Sequence, residues 1–223
     1  MTRVVEPEIL DQLPPADEAA TRSRCDLARL NALMGHARLI RKHLTPGVTR
    51  LIDLGAGDGT LLLKVLKSAH NAIREIVLVD QQRIVSDRTL AAFRSLGIQP
   101  TVALWDVCGW LAQQSKSRHT TIVANLFLHH FESPDLDRLL ELASKACDVF
   151  IACEPRRGAW PHAAASLVGL IGCNHVTRHD AVVSVRAGFR DGELTALWPE
   201  EAHWQIEERV AGLFSHLFVA RRR

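Results

Sequence analysis

Between Arg50 and Glu154 the chain repeats one alternation. A short apolar run rich in β-branched residues is followed by a stretch whose apolar positions recur at helical spacing. The runs are "TRLIDL", "REIVLVD", "PTVALW", "TTIVANL" and "DVFIACE". Helical patterns follow the first four, over Thr60 to Ala69, Ile84 to Leu96, Val107 to Gln114 and Pro134 to Ala146. Strand, helix, strand in this order predicts a parallel sheet with right-handed crossovers. The strands are apolar almost throughout, as strands covered on both faces must be. The helix after the fourth strand carries the clearest signals. Ser133 can cap it, Pro134 suits its first turn, and Leu136, Leu139, Leu140 and Ala143 make one apolar face.

The flanks are less regular. Met1 to Pro15 mixes charges with three prolines and has no period, which predicts a loosely held lead-in. From Asp17 to Leu44 apolar residues recur at helical spacing until Pro46-Gly47 stops the run, which predicts one amphipathic helix or two in tandem. After Pro155 the alternation breaks. Pro161 to Ile171 is expected to be an inserted helix, followed by a polar loop and a short helix near Asp191. "HWQIEERV" and "LFSHLFVARR", joined at Ala211-Gly212, alternate at period two as a closing hairpin would.

With 223 residues and 47% apolar content the chain can bury one substantial core. The expectation is a single doubly wound α/β domain around a seven-stranded, mostly parallel, Rossmann-like sheet. Residues 1–47 would form an N-terminal extension and helical lid, and residues 155–190 an inserted helical cover. The 27 Lys plus Arg against 25 Asp plus Glu leave +2, scattered except for Arg221 to Arg223, a poor match to a nucleic-acid backbone. Five cysteines without a CxxC pair fit a reducing compartment. The first thirty residues carry Glu6, Glu8, Asp11, Asp17 and Glu18 and no long apolar core. No signal or transit peptide, no membrane span and a soluble cytoplasmic protein are therefore expected.

The chemistry starts at "LIDLGAGDGT", Leu51 to Thr60. A strand that ends in a glycine-crowded turn and then begins a helix brings backbone close to a ligand, with the helix N-terminus adding partial positive charge. The dinucleotide fingerprint G-x-G-x-x-G needs a glycine at position 60, and Thr60 stands there instead. Asp58 would also repel a pyrophosphate. The second strand ends in Asp80, where a carboxylate can accept both hydroxyls of a ribose. The third ends in Asp106, with Val107 next to it.

Taken in order, "LIDLGAGDG", "VLVD", "LWDV" and "IVANLFLHHF" resemble the motifs of class I S-adenosylmethionine-dependent methyltransferases, over roughly Arg50 to Pro155 and the final hairpin. The resemblance implies that S-adenosyl-L-methionine is the cofactor. Asp53, Gly55, Ala56 and Gly57 would line its methionine and ribose part, Asp80 with Gln81 beside it would hold the ribose, and Asp106 and Val107 the adenine. Ala124 and Asn125 would border the methyl sulfonium, and Arg41 or His36 is either a partner for the methionine carboxylate or part of a solvated basic face. "NLFLHHF" looks like the small-molecule branch of the family. It lacks the Asn/Asp-Pro-Pro-aromatic motif of the branch that methylates amino groups in nucleic acids and proteins, so a small-molecule acceptor is implied.

His129 and His130 directly follow the fourth strand, where an imidazole of pKa near ~6.5 can serve as a general base or, alternatively, cap or pack. A related subgroup carries a His-Asp stretch before Ser-x-x-x-x-Phe, matched here by His179, Asp180 and Ser184 to Phe189. His179 is therefore a third catalytic candidate, against a loop held by side-chain hydrogen bonds. Glu154 is read as facing the same crevice, binding an acceptor hydroxyl or pairing with Arg156 or Arg157 at the rim. Trp105, Trp110 and Trp160 either wall the pocket or fill the core. Asn125 and Glu154 alone do not make a metal set, so no metal is expected. The reading is methyl transfer to oxygen or carbon of a small apolar or aromatic metabolite. The alternatives are a catalytically silent nucleoside-binding module and an NAD-dependent oxidoreductase.

Overall fold

The structure, a computed structural model, describes residues 2–67, 72–115, 119–199 and 201–223. Seven strands form one sheet. They are β1 (Arg50–Leu54), β2 (Glu75–Asp80), β3 (Gln99–Leu104), β4 (Thr120–Asn125), β5 (Val149–Pro155), β6 (Trp204–Ala211) and β7 (Ser215–Arg222). Their order is β3-β2-β1-β4-β5-β7-β6, with β7 inserted antiparallel between β5 and β6 and all pairs among β1 to β5 parallel. The chain order reverses between β1 and β4, and the carboxyl ends of those strands open a crevice there, the place where open α/β sheets bind ligands.

Side chains alternate along each strand, so successive residues enter opposite layers. Ile52, Val77, Ile122, Phe150 and Phe218 pack on one face with α6 (Val107–Ala112), α7 (Ser133–Ala146) and α10 (Glu193–Leu197). Leu51, Ile76, Val123, Ile151 and Leu217 pack on the other with α3 (His36–His43), α4 (Thr60–Lys67) and α5 (Asp87–Ser95). The sequence pattern of continuous apolar strands is thus explained by helices on both sides. The helix expected over Thr60 to Ala69 is α4 as far as Lys67; Ser68 and Ala69 lie outside the described residues.

The N-terminal run resolves into two tandem helices, α2 (Glu18–Met34) and α3. Asp17 accepts a hydrogen bond from the Ala20 amide to start α2, and left-handed Gly35 separates the pair. The expected loose lead-in is instead tied down. It contains one helical turn, α1 (Ile9–Gln12), whose first amides donate to the Asp180 carboxylate at 2.9 and 3.0 Å. Upstream, the Arg3 guanidinium donates to the carbonyls of Ala187 (2.8 Å), His129 (3.3 Å) and Phe131 (2.7 Å).

The cover after β5 also differs from expectation. The helix expected over Pro161 to Ile171 is α8 (Ala159–Ala165) followed by a 3₁₀ turn over Val168–Ile171. The expected polar loop is a thirteen-residue helix, α9 (His175–Ala187), capped by the Asn174 side chain on the Thr177 amide at 2.9 Å. Its inward positions include Val176, Thr177, Asp180, Val183 and Ala187. Two of these are polar, which hides the helical period. Thr177 bonds Ser23 of α2 at 2.9 Å, and Asp180 holds α1, so long-range partners supply what an apolar face ordinarily does.

Candidate active site

The glycine turn after β1 has all three glycines left-handed, with φ of +67° at Gly55, +55° at Gly57 and +72° at Gly59. Gly55 is constrained twice, because a Cβ there would lie 2.1 Å from the Phe127 ring. The turn lets the Gly57 amide reach Asp80 Oδ2 at 2.8 Å, while Asp80 Oδ1 accepts from the Gln82 amide at 2.8 Å. Burial raises the Asp80 pKa, opposed by these amides. Both carboxylate oxygens are therefore aimed by the backbone, and each keeps a lone pair for a ligand hydroxyl. At the start of α4 the Asp58 carboxylate accepts from the Thr60 amide (2.9 Å) and hydroxyl (2.7 Å). A pyrophosphate would need that helix terminus for itself.

These residues line a cleft of about 500 Å³, within the usual range for small-molecule sites. Asp53, Gly55, Ala56, Gly57, Asp80, Gln81, Asp106, Val107 and Asn125 all border it. Ala124 does not; its side chain is fully buried in the α6/α7 layer, one residue before the strand ends. Asp106 has one oxygen engaged as the cap of α6, accepting from the Gly109 amide at 2.8 Å. Asp53 is enclosed, and burial together with the charges of Asp80 and Asp58 pushes its pKa up to about 8.

The other end of the cleft is built at the exit of β4. Leu126 adopts the left-handed conformation (φ 51°), a conformation costly for a branched residue and tolerated where the surroundings enforce it. A 3₁₀ turn then carries Leu128–His130. Glu154 is fully buried at the end of β5, accepting from the amides of Phe127 (3.1 Å) and Leu128 (2.9 Å) and from His129 Nδ1 (2.8 Å). It lies inside the wall rather than at the rim, and Arg157 pairs with Glu193.

His129 Nε2 faces Glu8 Oε1 at 3.2 Å, and Glu8 also accepts from the Ser184 hydroxyl of α9. Burial disfavours the imidazolium, yet the hydrogen bonds and charges of Glu154 and Glu8 outweigh it and hold His129 at about 9. Burial likewise opposes ionised Glu8, and its bond to His129 wins, bringing Glu8 to about 2. At neutral pH His129 is thus a cation clamped by two anions, with both ring nitrogens engaged and no lone pair to take a proton.

His130 differs. It is partly exposed on the cleft wall, its ring 4.3 Å from that of His129, with Nδ1 at 3.0 Å from Asp11 Oδ2. Its Nε2 is not engaged by any hydrogen bond found among the described residues, in contrast to both ring nitrogens of His129. Among the described residues Glu8, His129 and His130 form a group with ligand-type atoms within 4.8 Å of one another, their charges met by the pairings above.

The remaining candidates lie elsewhere. His179 is half exposed on α9, bonded to the adjacent Asp180 at 3.0 Å and outside the cleft. His36 is buried against the Ser215 hydroxyl at 2.7 Å, with burial taking its pKa to about 4 against Asn125 and Glu154, and neither it nor Arg41 borders the cleft. Trp110 is core, while Trp105 and Trp160 face outward. Sequence reasoning missed Glu8 and Asp11, which no local pattern marked, since Glu8 meets His129 across 121 residues; Ser184 was marked by its motif but not as a partner of Glu8.

The topology, with β7 antiparallel beside β5 and a ligand crevice over β1 and β2, settles the architecture. It is the class I methyltransferase fold. No protein-family model and no curated protein matches the chain. Among solved structures it is similar to the mitomycin 7-O-methyltransferase MmcR, at 18% identity and TM-score 0.64, over 96% of this chain and 60% of that one. It is also similar to the N,N-8-amino-8-demethyl-D-riboflavin dimethyltransferase RosA from Streptomyces davawensis, at 17% identity and TM-score 0.61, over 97% and 62%. A third is the plantazolicin methyltransferase BpumL solved in complex with SAH, at 14% identity and TM-score 0.60, over 93% and 92%. The chain thus spans about three-fifths of MmcR and RosA and nearly all of BpumL.

Proposed function

We propose that the protein transfers a methyl group from S-adenosylmethionine to oxygen or carbon of a small, apolar or aromatic acceptor. The observation that carries this reading is Asp80, a carboxylate whose two oxygens are oriented by backbone amides at the glycine turn, facing a cleft that has a histidine–carboxylate pair at its far end. Such a carboxylate suits a ribose diol. The Asp58 carboxylate over the start of α4 opposes a dinucleotide's pyrophosphate, which favours an adenosyl cofactor over NAD.

The cofactor supplies a methyl group on a positively charged sulfur, which departs as a neutral thioether. Asp80 and Asp58 give that end of the cleft a negative field suited to a cationic ligand, whose charge would in turn favour ionisation of Asp53. At the acceptor end Leu10, Leu27, Phe127 and Phe131 offer apolar contact beside Asn31 and Asn125, which are joined at 3.1 Å. His130 Nε2 is the proposed base for an acceptor hydroxyl or enolisable carbon, with Asp11 orienting the ring. His129, already protonated and held between Glu154 and Glu8, is not available as a base and instead anchors the wall that carries His130.

The test has two arms. S-adenosylhomocysteine should raise the thermal midpoint while NAD leaves it unchanged; protection by NAD alone would replace this reading with the oxidoreductase. Turnover against a panel of phenols and enolisable aromatics then separates an enzyme from a silent nucleoside-binding module. His130→Ala should lower kcat by about 10²-fold or more with cofactor affinity unchanged.

A further inference from the structure

The segment between β5 and α10 was expected to roof the cleft, yet the cleft lining contains nothing between Phe131 and Ser184. The apolar side chains of α8 and the following 3₁₀ turn point the other way. Trp160 is 65% exposed, Leu167 56%, Leu170 82% and Ile171 48%, four of the largest exposed apolar side chains within twelve residues. The Arg29 guanidinium of α2 donates to the Ile171 carbonyl at 2.8 Å, and Leu33, one helical turn further along α2, is 75% exposed.

The knob's own segment is basic. From Pro155 to Arg190 the chain carries five arginines and three histidines against a single carboxylate, Asp180, which is buried and bonded to α1; Arg157, Arg186 and Arg190 pair with Glu193, Glu6 and Asp191, while Arg178 and His175 are exposed beside the apolar tip. On α2 Arg22 and Arg29 are exposed, Arg29 pairing at 2.9 Å with Asp26, which is buried on Asn174 and Thr177; Glu18 at the helix start is the one exposed acid of that helix.

We propose that this knob docks the protein onto an anionic lipid bilayer, with Trp160, Leu167, Leu170 and Ile171 entering the headgroup region and the surrounding arginines meeting lipid phosphates and carboxylates. A Trp-and-Leu tip ringed by basic residues is the composition that partitions into the membrane interface. Basic residues near such a surface each gain about 1 kcal/mol, roughly fivefold in affinity. The charge argues against a second copy as occupant, because a two-fold interface would set these arginines against their own counterparts. The exposed tips argue against a nucleic acid, which offers its backbone no apolar partner.

The experiment is flotation of the full chain with vesicles of phosphatidylcholine alone or with one part in three phosphatidylserine, with Trp fluorescence in parallel. The expected result is at least about tenfold more protein bound to the anionic vesicles, lost at high salt, together with a blue shift. Leu170→Ser with Leu167→Ser should abolish binding without changing the thermal midpoint, since both side chains are already in water. Trp160→Phe should keep binding and remove the blue shift. Failure to bind anionic vesicles overturns the proposal, as does binding that the double variant retains. So does a dimer in sedimentation that the double variant dissociates, which would make the knob a self-interface. None of these outcomes depends on methyl transfer.

Discussion

The two ends of the cleft are built on opposite plans. The proposed cofactor end is local: the turn after β1, the end of β2 and the start of α6 each contribute a few consecutive residues, and backbone amides hold Asp80, the carboxylate on which the proposal rests. The proposed acceptor end is assembled from afar. Glu8 and Asp11 come from the first turn of the chain, Ser184 from α9, His129 and His130 from the exit of β4 and Glu154 from β5. Its adhesive is charge in a buried setting, where a missing partner is costly. A binding function shared by many proteins can be written into a backbone turn, while a wall that chooses an acceptor can be exchanged by changing side chains far apart in sequence.

The comparison is most severely tested at Glu154. Glu154→Ala leaves the His129 cation with one partner and frees the amides of Phe127 and Leu128, and it should cost about 3–5 kcal/mol in denaturant unfolding. If the halves are independent, the surviving folded protein keeps its S-adenosylhomocysteine affinity within a few fold by calorimetry. A matching collapse in affinity would mean that the two ends form one unit.

A smaller effect belongs to the other end. Asp80→Ala should weaken cofactor binding by about 1–3 kcal/mol through loss of charged hydrogen bonds. Equal affinities in the two proteins would remove the ribose assignment.

The smallest effect is one of pH. Asp53 has a folded pKa of about 8, above its ordinary 3.8, so the ligand-free fold loses stability from this group as pH rises from about 4 through 8. A cationic ligand favours the ionised form, so affinity should rise with pH and level off above 8, about fivefold between pH 7 and 8. Calorimetry in buffers of different ionisation enthalpy should detect the proton released. The clamp on His129 behaves in the opposite sense at high pH. Its stabilisation is complete below about 6.5 and fades as pH rises through about 9, while that of Glu8 is lost only as pH falls from about 4.5 through 2. An affinity that falls between pH 7 and 8 would assign the linkage to some group other than Asp53.

These two plans also explain what the sequence made legible. The strands, their order and the residues proposed for the cofactor carry short-range signals, periodicity and glycine spacing, and of those proposed residues all but Ala124 line the cleft, whereas Glu154, read as facing it, is buried behind the wall. Ala124 was one position early, since an alternating strand turns each successive side chain to the opposite face. The acceptor wall carries no such signal. Glu8 sits among prolines in a run without period, and α9 reads as a loop in the sequence because Thr177 and Asp180 occupy inward positions that an apolar face would fill. His129 and His130 are neighbours of identical chemistry in the sequence. Only the carboxylates that meet each ring, Glu154 and Glu8 against Asp11, make one a buried cation with both nitrogens engaged and leave the other partly exposed on the cleft wall.

The anchoring of Arg3 on the carbonyls of Ala187, His129 and Phe131 closes loops of 126 to 184 residues. Ordering so long a loop is entropically costly unless the intervening elements are already in place, so the segment that carries Glu8 and Asp11 is expected to dock late in folding, onto a sheet that has already formed.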